Sequence, residues 1–320
     1  MATTMLPSPD LLPEVLPTDR LTKTGKAVPE VREKLRRIPN LRNAISVVGV
    51  WAQILTVDYL AVRLNHPVAW GLAFLLAGRQ FALLNILGHE AAHRLLFSKK
   101  SVNDFAGRWF LGYPAMTPTD QYRRGHMAHH REEFGPEEPD MALYSGYPIT
   151  KASLRRKLTR DALGNSGWKN TKGLLKAARK LRVARTILIV QVVIALAFAL
   201  LGHPWLYLIL WLGPQMTVWR VLNRLRAIAE HGGMTRSPDR RLTTHHVRQG
   251  FWARFWIAPY NTGWHLAHHV DIGVPFRNLP AFHRELKASG WVTDALEYRT
   301  YFALWRALSA REDAEVTVAS

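Results

Sequence analysis

VAWGLAFLLAGRQFALLNILGHEAAH, residues 68–93, is the stretch whose reading decides how this chain folds. Residues 68–87 are apolar enough and long enough to cross a bilayer as one helix, which takes about 20 residues. The next residues, after Gly88, are His89-Glu90-Ala91-Ala92-His93. If the helix continues a turn past the bilayer, His89 and His93 share one face, because side chains four apart lie above one another. A membrane span therefore runs straight into a pair of metal-ligand side chains.

Three more apolar stretches flank it, at residues 44–62, 186–201 and 205–221. They pair through short turns, Arg63-Leu64-Asn65-His66-Pro67 in one case and Gly202-His203-Pro204 in the other, so they read as two helical hairpins. Residues 251–259 are aromatic but too short to span, and read as a segment lying in the headgroups. The expected fold is all-α: an integral membrane protein with four transmembrane helices in two hairpins, under a cytoplasmic helical cap. Residues 1–43 are expected to be a partly disordered cytoplasmic lead-in with a short helix over 30–37. Residues 44–310 form the membrane domain, and 311–320 a disordered tail.

The formal charge of +19 suggests nucleic-acid binding, but its distribution rules that reading out. Residues 1–43 hold 8 Lys and Arg, 94–183 hold 18 and 220–320 hold 14, whereas the two hairpin turns hold only Arg63. The positive-inside rule then places both termini and the long middle segment in the cytoplasm, where the charge favours anionic headgroups of the bilayer. Arg79 lies mid-span, and Asp58 on the preceding span differs from it in depth by about 7 Å at 1.5 Å per residue. A structural ion pair is the expectation, and a polar feature along a substrate channel the alternative. With no cysteine the chain has no disulfide, no thiolate-ligated haem and no all-cysteine iron–sulfur cluster.

Two further clusters share the spacing of a metal site. His126-Met127-Ala128-His129-His130 and His265-Leu266-Ala267-His268-His269 each place histidines at i, i+3 and i+4, and Glu230-His231 lies between them. Nine of the fourteen histidines fall in these segments. A lone histidine is ordinarily a surface or satisfied core residue. Two HxxHH clusters and an HxxxH, all on the same side of the membrane, instead suit a pair of transition metals, since neutral imidazole is the commonest protein ligand. His66 and His203 are on the opposite side. His245 and His246 lack a partner at cluster spacing and are expected not to ligate.

In these residues the chain resembles the membrane fatty acid desaturase family, with its three histidine boxes, over about residues 44–290. Pro139-Asp140 is similar to the family's acidic-proline turn and Asn261-Thr262-Gly263-Trp264 to its asparagine–aromatic lead-in. Val274-Pro275, Asn278-Leu279-Pro280 and His283 resemble the tail after the third box. The resemblance implies two iron ions held by His89, His93, His126, His129, His130, His265, His268 and His269, with His231 as a ninth ligand. Some relatives carry an asparagine four residues before this last histidine, where this chain has Ala227. Glu90 and Glu230 are expected to act in catalysis, by orienting an imidazole or, for Glu230, by binding metal.

The implied activity is an oxygen-dependent desaturation of an acyl chain on a lipid or an acyl carrier. Removing hydrogen from an unactivated C–H bond is beyond any side chain and requires a metal–oxygen oxidant. The same site could hydroxylate a lipid or smaller molecule instead. The chain carries no dinucleotide fingerprint and no haem or cysteine cluster, so electrons must come from outside, from a ferredoxin, rubredoxin or similar carrier with its reductase. A rival reading takes HEAAH as the H-E-x-x-H of an intramembrane zinc protease with Glu90 as general base. It leaves both HxxHH clusters unexplained. A metal transporter would place its ligands inside the spans.

Overall fold

The structure, a computed structural model, describes residues 5–311, so the tail expected at 311–320 lies outside it apart from Arg311. Helices dominate it. A short α1 (Pro29–Leu35) leads into α2 (Asn40–Leu64) and α3 (Pro67–Ala92). The hairpin between α2 and α3 follows from three residues. Asn65 takes the left-handed conformation that ends α2, His66 Nδ1 accepts the Val68 N–H, and Pro67 occupies the first position of α3, where no N–H is needed. After α4 (Lys100–Ala106) and a π-helical turn at Gly107–Gly112 come α5 (Thr119–Glu132), α6 (Met141–Tyr144), α7 (Lys151–Ala162), α8 (Asn165–Ala178) and α9 (Arg182–Leu200).

Among the described residues, three helical runs are long and apolar enough to cross a membrane: the one ending in α2, α3, and α9. In α9, with a mean hydropathy of 2.4, only 17% of the apolar window is buried inside the molecule. A helix in water would turn such a surface inward, whereas a bilayer receives it. The fourth apolar stretch is not one regular helix. It comprises a π-helical turn at Tyr207–Leu212, α10 (Gly213–Met216), a break at Thr217 (φ −120°, ψ −83°) and α11 (Val218–His231). Pro214 has no N–H to give the preceding turn, which accounts for the local change of helix type.

Beyond a π-helical turn at Ala253–Ile257 and short 3-10 turns come α12 (His265–Val270), α13 (Leu279–Ala288) and α14 (Tyr301–Leu308), with the two-residue strands β1 (His246–Val247) and β2 (Glu297–Tyr298) paired in parallel. Two contacts fix the helices that matter most. A Cβ on Gly78 would fall 2.4 Å from Val218, so α11 packs directly on α3 only because position 78 is glycine. Arg123 of α5 donates from Nε to the Ala92 carbonyl (2.9 Å) and from Nη2 to the Ala91 carbonyl (3.0 Å), capping the C-terminus of α3 and locking α5 against it.

Arg79 does not pair with Asp58. Its Nε donates to the Phe255 carbonyl at 2.7 Å and its guanidinium lies 4.0 Å from the Phe255 ring. That carbonyl belongs to the segment read as interfacial, where Phe251 and Trp252 are each 70% exposed. A guanidinium is better satisfied by a free carbonyl and a ring face than by a distant carboxylate on a neighbouring helix. Asp58 is buried and its Oδ1 has no hydrogen-bond partner. The lead-in expected to be loose is instead held down from residue 5 onward. Leu21 and Ala27 are buried in the main core, Arg20 pairs with Glu285 and Arg36 pairs with Asp271, both at 2.7 Å.

Candidate metal centre

The ends of α3 and α11 and the helices α5 and α12 converge, and all nine singled-out histidines meet there. Two groups form. His89, His93, His126, His130 and His268 bring ligand nitrogens within 4.8 Å of one another, as do His129, His231 and His269. His265 joins the second group, its Nε2 lying 3.1 Å from that of His231 and 3.0 Å from that of His269. In the first group the Nε2 contacts are 2.7 Å for His89–His126, 3.1 Å for His89–His93, 3.0 Å for His126–His130 and 3.1 Å for His130–His268. Nitrogens bound at right angles to one ion at about 2.1 Å are about 3 Å apart.

Protons sharpen the point. His231 Nδ1 lies 2.9 Å from the Thr243 carbonyl, which can only accept, so Nδ1 carries the hydrogen and the neutral ring turns the Nε2 lone pair inward. His269 Nδ1 donates to Glu133, which is also paired with Arg240 at 2.7 Å. The His265 Nε2 between these two lone pairs could offer one proton to only one of them, whereas a cation satisfies all three. The residues therefore fit a metal.

Burial first, and neighbouring imidazoles after it, hold His126, His130, His265, His268 and His269 far below the ordinary histidine range. That favours the neutral, ligating form. His129 is the exception. Burial opposes its charge, but the hydrogen bond and charge of Glu138 outweigh burial and raise it. Its Nδ1 lies 2.9 Å from Glu138 Oε1, which fixes the tautomer a metal would bind.

Glu90 is buried, and its Oε1 accepts the Phe276 N–H at 3.1 Å rather than a hydrogen bond from an imidazole. Glu230 lies 3.4 Å from His265 Nδ1 and accepts from Arg226 Nε at 2.6 Å. His245 and His246 are outside both groups. The Nε2 atoms contact the Gly232 carbonyl at 2.7 Å and Glu297 at 3.1 Å respectively, and the His246 ring lies tilted against that of His283, with centroids 4.6 Å apart. Sequence reasoning missed Glu133, Glu138 and the Thr243 carbonyl. The acidic run after the second box, Glu132-Glu133-Phe134-Gly135-Pro136-Glu137-Glu138, was the available signal for the first two.

The model of the family described as fatty acid desaturase matches residues 65–302. The chain belongs to the fatty acid desaturase family. Among curated relatives, it is 25% identical over 272 residues to dihydrorhizobitoxine desaturase of Bradyrhizobium elkanii, covering 77% of this chain and 76% of that protein. It is 22% identical over 261 residues to the sn-1 acyl-lipid omega-3 desaturase (ferredoxin) of Nostoc sp. (strain 36), covering 69% and 67%. These are distant likenesses. The family membership makes this a desaturase-type oxidoreductase, and the three apolar helices agree with a membrane protein.

Proposed function

We propose that this chain is an oxygen-dependent di-iron enzyme that inserts a double bond into an aliphatic acyl chain, free or carried on a lipid or carrier. The observation that carries the reading is the facing of the His231, His265 and His269 Nε2 atoms of the second group at 3.0–3.1 Å, next to the first group of five imidazoles. His89, His93, His126, His130 and His268 would hold one iron, and His129, His231, His265 and His269 the other. When bound, a reduced iron pair supplies the oxidising power from dioxygen that breaks unactivated C–H bonds. The chain's own residues do the rest. The Thr243 carbonyl, Glu133 and Glu138 hold the orientation of the His231, His269 and His129 rings.

Four spans in two hairpins, with the 205–221 stretch as the fourth, put every proposed ligand on one membrane face. The distribution of Lys and Arg supports assigning that face, and both termini, to the cytoplasm. Electrons would arrive from an acidic carrier such as a ferredoxin or rubredoxin, drawn to the basic surface. The Nostoc relative is named as a ferredoxin enzyme, which supports that class of donor. Comparing lipids and small acids of a host with and without the gene tests the reading. A new alkene in the presence of the gene is expected. An unchanged profile with new peptide fragments would overturn it.

A further inference from the structure

A partly buried ion pair sits on α11 beside the proposed metal ligands. Arg226 and Glu230, one helical turn apart, lie deep in the molecule, yet 14% and 15% of their side chains remain accessible. Arg226 precedes His231 by five residues, about 7 Å along the helix, on the side of the apolar stretch. Among the described residues its one hydrogen bond runs from Nε to Glu230 Oε1. A guanidinium offers five N–H donors in a planar fork, so the Nη edge is left without a protein acceptor.

The pair touches the second group directly, because Glu230 Oε1 also lies 3.4 Å from His265 Nδ1. Tyr122 of α5 and Tyr301 of α14 also lie within reach of the pair's charges. A hydrocarbon tail pressed against this spot would bury an unsatisfied donor edge, which is unfavourable. A carboxylate would complete it, since the fork matches that shape with two parallel hydrogen bonds.

We propose that Arg226 binds a carboxylate of the substrate, so that the carbon presented to the metals lies within about 5–8 Å of an acid group. This rests on the di-iron reading and narrows it to short carboxylic acids. Arg226 is then the substrate-binding residue, and Glu230 holds its guanidinium in register while bracing His265.

The test uses the full chain, iron-loaded in detergent micelles, with hexanoate and hexanamide as probes in equilibrium dialysis. Hexanoate is expected to bind at least about 10-fold more tightly than hexanamide, and R226Q to abolish that preference with iron content unchanged. R226K, which keeps the charge but not the fork, should retain only part of it. Equal binding of the two probes by wild type, or a full preference in R226Q, would overturn the proposal. If R226Q loses its fold or its iron, the comparison passes to R226K, where an undiminished preference would equally overturn it. Absence of iron from the wild-type protein would defeat the di-iron reading itself, whereas iron with no preference for the acid would defeat only this inference.

Discussion

The two groups of imidazoles are built differently. Around the second group, every Nδ1 faces an oxygen: Glu138 for His129, the Thr243 carbonyl for His231, Glu230 for His265 and Glu133 for His269. In the first group, His89 and His130 have no hydrogen-bond partner at Nδ1. The first group is held by helix packing, through the Arg123 cap that locks α5 onto the end of α3, and the second by polar partners behind the rings, three of them carboxylates. The second site should bind metal through more basic, better oriented rings, because a carboxylate behind an imidazole raises its donor strength.

The largest expected effect comes from removing a ligand of the braced group. H231A should lower iron from two per chain towards one and abolish turnover, and full iron content in that variant would show that the ninth ligand lies elsewhere. Next come the braces. E133Q and E138Q should each weaken the second iron about 10–100-fold while sparing the first, as read by chelator competition. Equal weakening of both irons would erase the distinction between the groups.

Smaller effects are expected outside the groups. H245A should keep both irons and cost about 1–3 kcal/mol in denaturant unfolding, because the Gly232 carbonyl loses its partner. Iron loss in H245A would place it among the ligands. E90Q should change least, with iron retained and activity within a few-fold, because an amide oxygen can still accept the Phe276 N–H. Complete loss of activity in E90Q with metal retained would favour a general base at that position.

Much of this was legible in the sequence, and the remainder has physical reasons for being hidden. Helix periodicity puts the histidines of each box on one face, and the family resemblance implies that the boxes meet, so convergence of His89, His93, His126, His129, His130, His265, His268 and His269 could be expected from the chain. His231 needed the end of α11 to meet α12, and Glu230 pointed to it. The Thr243 brace is a backbone carbonyl and carries no residue signature. Glu133 and Glu138 act after a turn that redirects the chain, which spacing does not encode. Hydropathy marked the apolar stretches but not the break at Thr217, which stems from local helix geometry around Pro214. Asp58 was the nearest charge to Arg79 along the spans, yet Arg79 is taken by the Phe255 carbonyl from a segment 176 residues away.

Anomalous scattering at the iron edge, from crystals of the iron-loaded protein, tests the central claim most directly. Two peaks are expected, one enclosed by the Nε2 atoms of His89, His93, His126, His130 and His268 and the other by those of His129, His231, His265 and His269. A single peak at the zinc edge beside His89 and His93, with the second group empty, would contradict it.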